Sequence, residues 1–227
     1  MDLKESGLVE PHTHWYYVSK ASAIKADVGK LASRPLRIID IGAGSGYFAS
    51  MLLKELGGVA NCVDTEYVYD YTKGLIEFTK SPVMKDANTF LFIDVLEHVS
   101  EPIELLRKHL EYAKTGDIIV ISVPAFKSLW SSHDEFLGHV DRYQVRDILS
   151  WLSKLNKKFE IIKKHYLFSL IFPAVFVIRQ LPRGKKSDLR PHSKLVNLFL
   201  KNISIIDNTI IRSKFFGLSA YVVARIK

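Results

Sequence analysis

Cysteine is almost missing from this chain. Cys62 stands alone among 227 residues, which excludes an intramolecular disulfide and a thiolate-cluster metal site. It fits a reducing cytoplasm. Residues Met1 to Pro11 hold no apolar core of the kind a secretory leader needs, so none is expected. Long hydrophobic runs are also lacking. The longest, Tyr166 to Leu181, is interrupted by Pro173 and falls short of the roughly 20 residues of a spanning helix. No transmembrane segment is expected, and there are no internal repeats or low-complexity tracts. Acidic residues are scarce in one region only. Residues 151–227 carry 16 Lys and Arg against 3 Asp and Glu, whereas residues 1–150 carry 16 against 21. The overall +8 is therefore a +13 end on a −5 body. Such asymmetry points to an anionic partner: a phosphate-bearing substrate, an acidic membrane surface or nucleic acid. The plain alternative is a solvated basic face with no specific partner.

What is present is ample apolar material, 48% of residues, enough for one α/β domain at this length. Strand and helix patterns alternate, which predicts a mostly parallel sheet covered by helices. Strands are expected at Leu36–Ile41, Val59–Val63, Leu75–Phe78, Phe90–Val95 and Asp117–Val123, then from Phe159 and over Leu218–Ile226. Helices are expected at Ser45–Leu56, Glu101–Ala113 and Val145–Leu155. The reading is a Rossmann-like, doubly wound sheet of about seven strands, with the last strand antiparallel. The span between Asp64 and Phe90 is too short for a full helix and strand. An insertion over residues 167–216 precedes the last strand. It combines an apolar segment, the basic linker Pro182 to Pro191, and a helix from Ser193 to Ile203. Residues 1–227 read as one domain, with residues 12–34 as an N-terminal lid region.

Asp40-Ile41-Gly42-Ala43-Gly44-Ser45-Gly46 follows a strand and opens a helix. Glycines there permit a tight turn, and a helix start offers free N–H groups and partial positive charge to a carboxylate or phosphate. A dinucleotide fingerprint would place glycine at position 47, where this chain has Tyr47. Asp64 ends the second strand 18 residues after Gly46, where a carboxylate can accept both ribose hydroxyls.

The G-x-G-x-G spacing behind Asp40 resembles motif I of class I S-adenosylmethionine-dependent methyltransferases. Phe92-Ile-Asp-Val-Leu-Glu-His-Val99 resembles the "DVLEHV" segment of many small-molecule members. Pro11-His-Thr-His-Trp-Tyr-Tyr17 and Ser132-His-Asp-Glu-Phe-Leu-Gly-His-Val-Asp-Arg-Tyr143 resemble the "HWW(F/Y)" and "HD…GHxRRY" segments of a subgroup acting on envelope or lipid-linked glycans. Asp141 replaces the first arginine of that last pattern, and Arg142 keeps the second. The resemblance implies S-adenosylmethionine as cofactor. It would be held by Asp40, Gly42, Ala43, Gly44, Gly46, Asp64, Thr65, Asp94 and Val95, with Trp15 and Tyr16 closing over it or simply packing. The acidic residue usual near adenine has no counterpart, and Phe78 and Thr79 stand closest to its place.

Methyl transfer from a sulfonium aligns a nucleophile in line with the methyl group and excludes water. A hydroxyl or amine acceptor needs a base, and histidine suits that task. His133, Asp134 and His139 follow the fifth strand, at the carboxyl end where α/β ligand sites lie. His133 or His139 is the candidate base, and Asp134 is either catalytic or an orienting partner. Arg142 and Tyr143 are candidates for acceptor binding; a structural polar knot and core packing are their alternatives. Two histidines and an aspartate without further ligands at recognised spacing do not make a metal site, so no metal is expected. The expected acceptor is a small or lipid-linked, anionic molecule. The expected location is the cytoplasm, peripheral to the inner face of the membrane. An RNA methyltransferase is the first rival, but nucleic acid is not expected, because no RNA-binding module is visible. A non-catalytic cofactor-binding protein is the second.

Overall fold

The computed structural model describes residues 9–179 and 193–227. Helix α1 (Trp15–Leu31) leads into β1 (Arg37–Ile41), α2 (Tyr47–Leu56) and β2 (Val59–Val63). Next come the hairpin β3 (Tyr71–Lys73) and β4 (Ile76–Thr79), then β5 (Thr89–Ile93), α3 (Pro102–His109) and β6 (Ile118–Pro124). Short α4 (Ser132–Leu137), α5 (Val145–Ser153) and β7 (Phe159–Leu167) follow. Helices α6 (Phe172–Arg179) and α7 (Lys194–Ile206) precede β8 (Ser219–Ile226).

All the strands among the described residues join one sheet in the order β3-β4-β2-β1-β5-β6-β8-β7. Strands β4, β2, β1, β5 and β6 pair in parallel, and β8 runs antiparallel to both β6 and β7. Helices on both faces explain why β5 and most of β6 are buried along their whole length. Alternate residues serve alternate faces. Ile38, Leu91 and Val120 meet Ile24, Val28, Phe48 and Leu52 on the α1/α2 face. Ile39, Phe92 and Ile121 meet Leu106, Ile148 and Leu152 on the α3/α5 face. This is the Rossmann-like architecture the alternation predicts. Successive strands are added on opposite sides of β1, so a crevice opens between the carboxyl ends of β1 and β5, where α/β proteins bind ligands.

Several boundaries differ from the sequence expectation. The sheet has eight strands rather than about seven, because Tyr71–Lys73 folds back on Ile76–Thr79. All three β3 residues are exposed, so no apolar alternation announced them. The sixth expected strand runs on to Leu167, taking Leu167 out of the presumed insertion. Helix α3 stops at His109 rather than Ala113. Helix α7 reaches Ile206 and continues as a wider turn over Asp207–Ile211. The basic linker Pro182 to Pro191 lies outside the described residues. Among those described, no helix is long and apolar enough to cross a membrane.

Candidate active site

The glycine turn is built by close packing at the end of β1. A Cβ on Gly42 would lie 2.2 Å from Cγ2 of Val95, and its φ is +68°, a region that L side chains rarely adopt. Only glycine lets the tips of β1 and β5 approach this closely. Gly42 and Ala43 donate their N–H groups to the Val63 carbonyl, which pins the turn to β2. Asp64 sits just beyond β2. Its Oδ2 accepts from the Gly44 N–H at 2.9 Å, and its Oδ1 accepts from the Glu66 N–H at 3.0 Å. Thr65 is exposed beside it. Tyr67, which sequence reasoning passed over, is buried and donates its hydroxyl to the Gly44 carbonyl at 2.7 Å.

Asp40 lies buried beneath the turn, and its Oδ2 has no hydrogen-bond partner. Burial, with the Asp64 charge adding to it, pushes its carboxyl up to about 7. The Phe78 ring packs on Gly46 and stacks against Tyr71 at 4.5 Å between centroids. The Thr79 hydroxyl accepts from the Asn61 amide and donates to the Ser81 carbonyl. Both candidates for the adenine side are thus engaged within the sheet edge.

Across the crevice, Asp94 follows β5 with φ +53°. Lys20 reaches both its oxygens, at 2.8 and 2.7 Å, and also donates to the Tyr16 hydroxyl at 2.7 Å. The Tyr16 hydroxyl lies 3.3 Å from Asp94 Oδ2. Lys20 is fully buried. Burial alone would lower its ammonium, but Asp94 and Tyr16 outweigh burial and hold it above the usual lysine range. Burial, reinforced by the Asp94 charge, pushes the Tyr16 hydroxyl up to about 12. Sequence reasoning missed Lys20. The available signal was a lysine falling on the Tyr17, Ile24, Val28 stripe of α1, on its buried face.

The insertion fixes this corner. Phe168 stacks on Tyr16 at 5.0 Å and meets Trp15 edge-on at 5.7 Å. Asn197 of α7 accepts from the Trp15 N–H and donates to the Thr13 carbonyl.

The acceptor-side residues form a second cluster after β6. Ser131 and Asp134 make a capping box at the start of α4, which explains why that short helix begins there. Asp134 is fully buried. It takes hydrogen bonds from Arg142 Nε and Nη2, at 2.7 and 3.1 Å, and its Oδ1 lies 2.8 Å from His139 Nδ1. Burial would raise its carboxyl, but the His139 hydrogen bond and the Arg142 charge override burial and hold it well below the usual carboxylate range.

The structure therefore makes Asp134 an ionised anchor rather than a proton acceptor. Arg142 is spent on Asp134 and on the Ala125 carbonyl, so it forms the polar knot instead of reaching an acceptor. Tyr143 packs edge-to-face on Trp151 at 4.7 Å, with burial pushing its hydroxyl up to about 12. Arg142 is thus engaged within the protein, and the Tyr143 ring packs on Trp151 while the residue stays half-buried.

His133 is half-buried at the start of α4, its ring 6.4 Å from that of His139. The sequence also gave no special weight to Glu97 and His98, in the 3-10 turn Leu96–His98 after β5. The His98 ring lies 4.7 Å from that of His139, and Val140 N–H donates to the Glu97 carbonyl at 2.7 Å. Glu97 is fully buried, with neither carboxylate oxygen hydrogen-bonded. Burial, with Asp94 nearby, pushes its carboxyl well above the usual range.

The methyltransferase domain family matches residues 14–162, about two-thirds of the chain. The chain belongs to that family. It is a methyltransferase-domain protein.

Solved structures share the methyltransferase's fold. A SAM-dependent methyltransferase from Archaeoglobus fulgidus superposes with a TM-score of 0.52 at 19% identity, covering 90% of this chain and 94% of that one. The YcgJ protein from Bacillus subtilis gives 0.56 at 13%, covering 90% and 97%. Coclaurine N-methyltransferase, bound to N-methylheliamine and SAH, gives 0.54 at 11%, covering 92% and 71%. No curated protein matches. The residues fit the cofactor: a glycine turn with no side chains in the way, a half-buried carboxylate at the tip of β2 and the buried, unpartnered Asp40 oxygen beneath the turn stand where a methionine and ribose would be held.

Proposed function

We propose that this methyltransferase modifies a small or lipid-linked, anionic acceptor at a membrane surface. One observation carries the reading: the insertion beside the site is apolar and exposed. Leu195 and Phe215 are 81% and 82% exposed, and Phe199, Ile210 and Val177 of the same insertion are exposed too. Lys194 and Lys214 are exposed on the same connection. Lys185, Lys186 and Arg190 lie in its sequence, outside the described residues. Apolar burial and attraction to anionic lipids add together at membrane surfaces, with about 1 kcal/mol per basic residue.

When bound, S-adenosylmethionine supplies a methyl group on a positively charged sulfur. The Gly42–Gly46 turn and the start of α2 receive its carboxylate end, and Asp64 its ribose hydroxyls. Trp15 and Tyr16, braced by Phe168, cover the crevice and keep out water. Asp40, Ala43, Thr65, Asp94 and Val95 line or support that crevice. Asp134 is a positioning residue that sets the His139 ring, and a histidine of this loop, His133 or His139, takes the acceptor's proton.

The test is sedimentation with vesicles, followed by mass spectrometry of lipid and glycan extracts incubated with labelled cofactor. Binding to anionic vesicles should weaken with salt and fall when Lys185, Lys186 and Arg190 are neutralised. Protein that stays in the supernatant at low salt would remove the membrane from the account.

A further inference from the structure

The histidine cluster contains an unsolved electrostatic problem. Glu97 is a fully buried acid with two unpartnered oxygens. A buried acid with neither oxygen hydrogen-bonded is costly to leave so, and a bound cation is one way to satisfy it. Two imidazoles stand next to it. One ligand atom each from Glu97, His98 and His139 lie within 4.8 Å of one another. Ligands of a single tetrahedral ion are roughly 3.3 Å apart when bonds are roughly 2.0–2.1 Å, so a modest side-chain rotation closes the set.

The His139 ring is oriented for the role. Both Asp134 oxygens already accept from Arg142, at 2.7 and 3.1 Å, and Oδ1 faces His139 Nδ1 at 2.8 Å, the arrangement of an Nδ1–H donating to a carboxylate. Nε2 then keeps its lone pair. A carboxylate behind a ligating imidazole is the usual support that fixes the ring and raises its basicity. Asp134 is itself held by Arg142, so the support is rigid. The residues come from two separate segments, the turn after β5 and the end of α4. That explains why neither segment's spacing alone suggested a metal.

We propose that Glu97, His98 and His139 bind one divalent transition-metal ion, such as Zn²⁺ or Mn²⁺, through two imidazoles and one carboxylate. This ligand set suits borderline ions and leaves coordination positions open. The role of the ion rests on the methyltransferase reading above. It takes a hydroxyl oxygen of the acceptor as a further ligand and lowers the pKa of that hydroxyl. The O–H bond breaks and its proton passes to His133. The new O–CH₃ bond forms as the sulfonium's S–CH₃ bond breaks, leaving the neutral thioether. With His139 committed to the ion, His133 is left as the base.

The experiment is calorimetric titration of chelator-treated full-length protein with ZnCl₂ and MnCl₂. Co²⁺ absorption serves as a spectroscopic check on the ligand set, and S-adenosylhomocysteine binding is measured in the same samples. One ion per chain is expected. Glu97→Gln and His139→Gln should each weaken it at least about 10-fold, while His12→Ala, which removes an exposed histidine elsewhere, leaves it unchanged. Asp134→Asn should weaken it about 10–100-fold through ring orientation alone. Absence of a one-to-one site, or variants that bind as the wild type does, would overturn the proposal. S-adenosylhomocysteine binding reports separately on the cofactor reading, so loss of that binding alone strikes the methyltransferase reading and not the metal site.

Discussion

Lys20→Met tests whether the crevice is organised by the buried pair at its centre. Lys20 is fully buried, and its side chain ends 2.7 Å from Asp94 Oδ2, whose side chain keeps 25% exposure. Removing one partner of a fully buried pair costs about 3–5 kcal/mol, because the other charge is left uncompensated. Water can reach Asp94, so the cost here reduces to about 2–3 kcal/mol. For a chain of this size that lowers Tm by about 4–12 °C. Asp94→Asn in the Lys20→Met background removes the stranded charge and should restore part of the loss. The coupling energy should exceed about 1 kcal/mol. Urea denaturation followed by tryptophan fluorescence, on the wild type, both single variants and the double variant, measures each term. A Lys20→Met protein within about 0.5 kcal/mol of the wild type, or strictly additive effects, would refute the reasoning.

Three further outcomes are expected. Asp134→Ala strands Arg142 in the buried knot and should cost about 3–5 kcal/mol in thermal or urea melts; a neutral substitution would show that the knot is not structural. His165 is buried with an unpartnered Nε2, and burial lowers it to about 4. Its folded value is depressed, so its contribution is present above about 6.5 and lost as pH falls towards 4, on the order of 3 kcal/mol in all. His165→Phe should flatten that acid limb of the stability profile, and an unchanged slope would assign the limb to other groups. His133→Gln should lower kcat by roughly 10²–10⁴-fold with cofactor affinity retained, and full activity would show that His133 takes no proton.

The glycine turn and the acidic strand end were legible because their signals are local. Gly42, Gly44, Gly46 and Asp64 announce a turn and a strand end through spacing alone, and the fold brings them together at the tip of β1 and β2. What escaped reading depends on contacts between distant segments. Lys20 looks like one lysine among many until α1 packs against Asp94, 74 residues away in sequence. Glu97 and His98 resemble an ordinary polar turn until the end of α4 closes over them at Val140. Arg142 and Tyr143 read as acceptor ligands because polar residues near a sheet's carboxyl end are candidates. Only the geometry shows Arg142 bonded to Asp134 and the Tyr143 ring packed on Trp151. The β3 strand was invisible because an exposed, three-residue edge segment carries no burial pattern.

The most direct measurement is calorimetric titration of S-adenosylhomocysteine into the wild type, Gly44→Val and Asp64→Ala, with NAD as a control. Gly44 has φ +52°, which a β-branched residue adopts only with strain, and its N–H meets Asp64 at 2.9 Å. The account predicts one S-adenosylhomocysteine per wild-type chain, no NAD binding, at least about 10-fold weaker binding with Asp64→Ala, and none with Gly44→Val in a protein that remains folded. Wild-type affinity in both variants would place the cofactor elsewhere and contradict the site described for it.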